Sequence, residues 1–447
     1  MGARNMPSLT LIETSQVDFE RKWAQLRGKL TLQAMILEEP QIIEQVHKIV
    51  MKVASNTTNK DAALCECISD YDYIDLKPNE LRVTEEELQK SHKNMEPGLL
   101  KALRQAIDNV RSYQEKIKIR SIPDWTINGV RLGARNRPLE RVGVCIPGAS
   151  APLVSTVIMT VVPAQVAGVK EIAAISAPRP DCNNSVHPKI LGICWELGVN
   201  EVYRCSGAHG VAALAFGTET IPRVDKIVGP SNRWGQLAKK EVYGIVDIDS
   251  YAGPSEVLII ADDSARPEWV AADLLSQAEH APGSAVLLTD SKDLAQAVVE
   301  QVDIQMAHLD RAEETRKCVE RFCLAVVTQD LAEAIRLAND FAAEHLQIQC
   351  RDSRQIAERI INAGAIFIGH YTPVATGDYY AGPSHTLPTG GSARFFGALN
   401  VNDFIKQTSI ISYEEKALKQ AAGAIKTIAD AEGLDAHAKS VTIRTNE

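Results

Sequence analysis

The sequence predicts an α/β protein made of two tandem doubly wound units with parallel sheets, flanked by helical segments at both ends. Three observations carry this expectation. From Arg141 onward short β-branched runs alternate with longer helical stretches, a βαβ series whose crossovers make neighbouring strands parallel. The alternation stops at a turn, YAGPS at 251–255, and then starts again. The length, 447 residues, exceeds what a single apolar core usually organises.

Taken in order, residues 1 to about 120 read as helix. Ile42, Val46, Ile49 and Val50, and later Leu99, Leu103, Ile107 and Val110, recur at helical spacing. Thr84 followed by Glu87 has the form of a capping box, so a helix should begin there. The first unit runs RVGVCI, helix 152–167, EIAAIS, helix 187–197, EVYRC, helix 208–216 and KIVG. The second runs EVLIIAD, helix 267–280, SAVLLT, helix 290–302, LAVVTQD, helix 331–342, LQIQC, helix 353–361 and GAIFIG. From Ser412 the chain returns to Ala-rich helix and ends in a strand-like SVTIR. Residues 142–169 carry no charge, but Pro147, Pro152, Pro163 and several hydroxyls interrupt them, which suits a strand, a turn and a buried helix rather than a lipid span.

Composition narrows the function. Forty-eight Lys and Arg against 57 Asp and Glu give a net charge of −9, which opposes binding to nucleic acid or an anionic membrane and leaves small molecules as the expected partners. Nine cysteines, an odd number with no CxxC pair, fit reduced thiols in a cytoplasm. No apolar signal core opens the chain, and Met6 stands where a myristoylation motif requires Ser or Thr.

Several residues could carry chemistry. Pro147-Gly148-Ala149-Ser150 and Gly229-Pro230-Ser231-Asn232 each lie between a strand and a helix, where small residues let backbone N–H groups approach a phosphate; ordinary glycine turns look the same. Gln277 and His280 share one helix face, either as donors to a metal or with the His as a dipole partner at the helix end. Glu344-His345, at a helix-to-strand junction, are either two proton-transfer groups or a surface Glu beside a half-buried His. The loop 376–385, which repeats YAGPS and is followed by LPTGGSARF, is the strongest of these candidates, because long polar Gly-rich loops in a regular α/β chain are usually functional. Glu432 and His437, taken alone, are ordinary helix-end charges.

Read together, RVGVCIPGASAPLVSTVIMTVVPAQVAGVKEI, GAHGVAALAFGTE, VDKIVGPSN, DIDSYAGPSEVLIIAD, DLLSQAEH, EHLQI, GDYYAGPSHTLPTGGSARF and AHAKSVTIR closely resemble the histidinol dehydrogenase family. The blocks keep the family's order from about residue 137 to the end. The resemblance implies two incomplete Rossmann-like domains, one formed by 37–140 with 256–400 and the other by 141–255, with a helical segment at 1–36 and a C-terminal helical segment at 401–447 that reaches the partner's site. It implies NAD-linked oxidation of L-histidinol to L-histidine through the aldehyde, the last step of histidine biosynthesis. Zinc would sit on Gln277, His280, Asp378 and His437, and Glu344 and His345 would be the acid-base pair. Ser255, His385 and Glu432 fall on substrate-contacting positions, together with His345 and the four zinc positions. Cys145, His209 and Asn232 fall on dinucleotide-contacting positions, the first two where the family usually has Tyr and Gln. The family is a homodimer, so Glu432 and His437 are expected to act across the interface. Two alternatives stand beside this reading: a paralogue that oxidises another small polar alcohol, and a zinc-holding homologue without catalysis.

Overall fold

The computed structural model describes residues 8–30, 40–55, 59–280 and 283–445. The two βαβ series become two parallel sheets. The first has five strands in the order Glu201–Arg204, Glu171–Ser176, Arg141–Cys145, Lys226–Val228 and Asp247–Ile248. The second has six, in the order Thr10–Glu13, Cys323–Val327, Gly283–Thr289, Ser255–Ala261, His345–Gln349 and Ala365–Ile368. Every pairing within both sheets is parallel, as crossover connections require. Central strands such as Arg141–Cys145 and Gly283–Thr289 are buried along their whole length, which is why they read as unbroken apolar runs rather than alternating ones. In each sheet the strand order reverses once, between Arg141–Cys145 and Lys226–Val228 and between Ser255–Ala261 and His345–Gln349.

The helices between 40 and 117 do not join the six-stranded unit, which corrects the expected grouping of 37–140 with 256–400. Val46, Ile49, Val50, Val53, Leu64 and Ile68 share a core with Cys145, Ile175 and Leu214, and Leu88, Leu103, Ile107 and Val110 share one with Val144, Val157 and Ile190. Their apolar stripes cover the five-stranded sheet. The opposite correction holds at the N-terminus, where the helical reading missed the strand Thr10–Glu13 at the edge of the six-stranded sheet. The helix Phe19–Leu30 that follows buries Phe19, Trp23, Leu26 and Leu30 on that sheet's Leu258, Ile260, Val286 and Leu288.

A third, antiparallel sheet was not anticipated. Ile122–Ile127 and Val130–Pro138 form a hairpin, and Ile405–Tyr413 pairs with its second strand. Asn128 and Gly129 both have positive φ, the conformation in which Asn-Gly closes a tight hairpin. The Ala-rich stretch is the helix Glu415–Ala431, but SVTIR belongs to a second helix, Asp435–Thr445, rather than to a strand. Thr84 does cap the helix Glu85–Lys93 through the Glu87 N–H at 3.2 Å, while the Glu87 carboxylate turns away to Ser185 and Arg204. Among the described residues no helix is long and apolar enough to cross a membrane.

Candidate active site

The two parallel units face each other across a cleft of about 290 Å³. The five-stranded sheet points its carboxyl ends at the cleft, supplying Gly229, Pro230 and Asp249 just beyond its strands. The six-stranded sheet points its amino ends at it, so that Ser255 and His345 are the first residues of their strands. The usual rule for open α/β sheets, ligands at the carboxyl edge, therefore holds for one sheet only.

Glu344 and His345 are held at the junction between the helix Leu331–Phe341 and the strand His345–Gln349. Ala342 makes the bend in the left-handed region at φ 55, buried and without glycine's freedom there. Both side chains are then fixed by the backbone of a single residue of the neighbouring strand, Glu256. The Glu256 N–H donates to Glu344 Oε2 at 2.8 Å, and His345 Nδ1–H donates to the Glu256 carbonyl at 3.0 Å. A carbonyl only accepts, so Nδ1 keeps its proton in either state of the ring, and Nε2 is the nitrogen that gains or loses one. Nε2 has no hydrogen-bond partner and stands 3.4 Å from Asp378 Oδ1. Burial opposes a charged imidazole, but Glu344 at 3.5 Å and Asp378 outweigh it and push the His345 pKa up to about 9. Burial raises Glu344 above the usual carboxylate range, against the opposing pull of His345, the Glu256 N–H and Ser255.

Asp378 is brought to His345 by close packing at Gly377. A Cβ there would lie 2.7 Å from the Phe367 ring, and that ring itself packs against His345 with centroids 5.8 Å apart. Seven residues on, His385 donates from Nδ1 to the Asp378 carbonyl at 3.0 Å and takes the Thr156 hydroxyl on Nε2 at 3.3 Å. Its pKa is lowered, chiefly by burial. Gln277 and His280 reach the cleft from the end of the helix Pro267–Ala278, and the buried Gln277 Nε2 has no partner. That helix is braced to the catalytic strand by Asp273, which accepts from Gln347 at 2.7 Å and from Gln349 at 2.8 Å, two side chains on the same face as His345.

Ser255, Gln277, His280, Glu344, His345, Asp378 and His385 thus line one cleft. Glu432 and His437 do not; both are exposed on the last two helices. Among the described residues no group of three His, Cys, Asp or Glu could hold a metal ion. His280 and Asp378 are the two such residues of the expected set within the cleft, and Gln277 adds an amide. The two YAGPS turns differ in use: the first carries Ser255 into the cleft, whereas Ser384 of the second bonds the Met159 carbonyl at 3.1 Å and fixes the loop beside His385.

A second, smaller cavity of about 140 Å³ adjoins the first at Pro230. It lies over the strand-order reversal of the five-stranded sheet, between the turns 147–150 and 230–232, and Cys145 and Asn232 line it. Burial pushes the Cys145 thiol up to about 12, so it stays neutral. Asn232 caps the helix Arg233–Val242 through the Gly235 N–H at 3.0 Å. His209 does not line this cavity: its buried ring pairs with Asp72 at 3.2 Å, which corrects its expected place beside the dinucleotide. A Cβ on Gly148 would meet Ser176 Oγ at 2.5 Å and Ile190 at 3.1 Å, so glycine there lets the turn pack closely on the chain's own strand and helix.

Sequence reasoning missed Glu256, Asp273 and the wholly buried Lys239–Asp249 pair that ties Gly229 to the cleft wall. Glu256 left one trace, a charged residue opening the otherwise apolar strand SEVLIIA. Asp273 and Lys239 look like ordinary helix charges.

Two doubly wound sheets facing each other over such a cleft define an α/β enzyme of the dehydrogenase type. The family model described as histidinol dehydrogenase matches residues 33–445. The histidinol dehydrogenase of Moorella thermoacetica is 44% identical over 437 residues, covering 98% of this chain and 99% of that protein, and the one from Thermosynechococcus vestitus is 45% identical over 400 residues, covering 89% and 92%. The crystal structure of histidinol dehydrogenase from Elizabethkingia anophelis superposes with a TM-score of 0.88 at 32% identity, covering 98% of both chains. The chain belongs to the histidinol dehydrogenase family.

Proposed function

We propose that this chain oxidises L-histidinol to L-histidine by way of the aldehyde, in two NAD-linked steps, at a zinc site shared between two subunits. The observation that carries the reading is the fixed tautomer of His345, whose unpartnered Nε2 faces the cleft beside Asp378 and Glu344. The donor set, an amide oxygen, a carboxylate and imidazole nitrogens, suits zinc. Gln277, His280 and Asp378 would hold it from this chain, and His437 of the partner subunit would complete it. That division is supported by the exposure of Glu432 and His437 and by Ile122, Trp125, Ile127 and Ile411, exposed on the antiparallel sheet. When bound, zinc would orient the nitrogen groups of the amino alcohol, and NAD in the smaller cavity would accept hydride.

The chain's own residues move the protons. In its neutral form, reached as pH rises toward about 9, His345 takes the hydroxyl proton on Nε2 as hydride leaves the carbinol carbon, and Glu344 and Asp378 stabilise the imidazolium that results. Glu344 then takes a proton from the water that adds to the aldehyde. His345, once neutral again, takes a hydroxyl proton of the hydrate as the second hydride leaves. Ser255 and His385 line the walls on which the substrate's polar groups rest. Nine cysteines without a disulfide support a cytoplasmic setting.

The test separates the two roles. Glu344→Gln should slow aldehyde oxidation far more than alcohol oxidation, whereas His345→Ala should lose both by about 10²- to 10⁴-fold. NADH formation from histidinol and from the aldehyde reads this directly. Equal losses of both steps in Glu344→Gln would overturn the assignment.

A further inference from the structure

Glu256 plays no part in the chemistry above, yet both acid-base side chains are tied to its backbone N–H and carbonyl. Its own carboxyl is enclosed. The residue is 2% exposed, Oε1 accepts the Gly390 N–H at 3.2 Å, and Oε2 has no partner. From the strand Gly283–Thr289 it meets the in-register Ser284, whose buried hydroxyl is also unpartnered. From the catalytic strand it meets Glu344 and His345, which among the described residues are the charged groups acting on it. A carboxylate anion in that position would place its charge on an orphan oxygen, in a dry site, next to another carboxylate. Two such acids divide their roles. Glu344 has the imidazole at 3.5 Å and the Glu256 N–H to stabilise its charge, while Glu256 has the Gly390 and Glu344 N–H groups and feels the imidazole least.

We propose that Glu256 is a positioning residue that stays a neutral carboxylic acid during turnover, leaving Glu344 as the ionised member of the Glu256–Glu344 pair. Burial and the neighbouring Glu344 push the Glu256 pKa up to about 8, which agrees with the geometry. The inference rests on Glu344 being the base of the aldehyde step, and the spectroscopic arm of its test does not depend on turnover.

Infrared spectroscopy of the full chain should show a protonated carboxyl C=O band that persists at neutral pH and bleaches as pH rises past about 8. Absence of such a band at neutral pH overturns the proposal. In the wild type minus Glu256→Gln difference spectrum the band should be lost; an undiminished band in the folded variant also overturns it. In kinetics, Glu256→Ala should cost the aldehyde step at least about tenfold more than Glu256→Gln, because the amide keeps a neutral polar group of the same shape. Equal losses in the two variants count against the proposal. Should Glu344→Gln retain aldehyde oxidation while the Glu256 band behaves as described, the failure lies in the role of Glu344 and not in the protonation of Glu256.

Discussion

At the residue scale, the side chains that matter owe their chemistry to backbone partners. The backbone of one residue, Glu256, orients the His345 ring through its carbonyl and receives Glu344 on its N–H, so two side chains inherit the rigidity of a central strand. The same residue makes stability depend on pH. Glu256 loses its proton near the ordinary 4.5 when unfolded and near 8 when folded. Between those values the native state holds the extra proton, so this contribution is complete below about 4.5 and is lost as pH rises through about 8. Urea midpoints measured from pH 5 to 8 should fall more steeply for the wild type than for Glu256→Gln, which cannot titrate there; parallel profiles would refute the assignment. Little of this was legible beforehand. Glu344 and His345 stood out only as an acid next to an imidazole, and the clamp on them comes from a residue almost ninety positions away.

At the element scale, strand ends and turns decide where ligands can come. Gly229 has φ 100, and a Cβ there would lie 2.5 Å from the Cys145 carbonyl oxygen. Gly229→Ala should therefore cost about 1–3 kcal/mol of stability and weaken NADH binding, read by urea unfolding and by nucleotide fluorescence titration. Most strands of the two sheets were legible because buried parallel strands are continuous apolar runs, as SAVLLT within Gly283–Thr289 shows. The hairpin was missed although its Asn128-Gly129 turn was in plain view, since its strands are largely exposed and lack a clear apolar face. SVTIR misled through its β-branched residues; Asp435 in the first turn and Arg444 in the last favour the helix it forms, and no neighbouring strand pairs with it. Thr10–Glu13 was too short to read without the strand it pairs with.

At the scale of the whole molecule, the cleft takes its walls from both sheets, one offering carboxyl ends and the other amino ends. Residues from 153 to 389 meet there, and the resemblance to a family rather than any local pattern gathered them in advance. A site completed by His437 of the partner subunit makes a sharp prediction. His345→Ala and His437→Ala chains, each inactive alone, should regain about a quarter of wild-type activity when refolded together, because half the dimers then contain one intact site of two. No recovery in mixed dimers, verified by tagged copies, would place both residues in the same subunit's site. The edge strand Thr10–Glu13 has a consequence for how the molecule is made. Thr10 is synthesised long before Leu324, the residue with which it pairs. At roughly 5–20 residues per second, its partner emerges on the order of 15 s to a minute later. The five-stranded sheet, complete once Ile248 has been made, can close during that interval, so the unit that begins first in the chain is the last to finish on the ribosome.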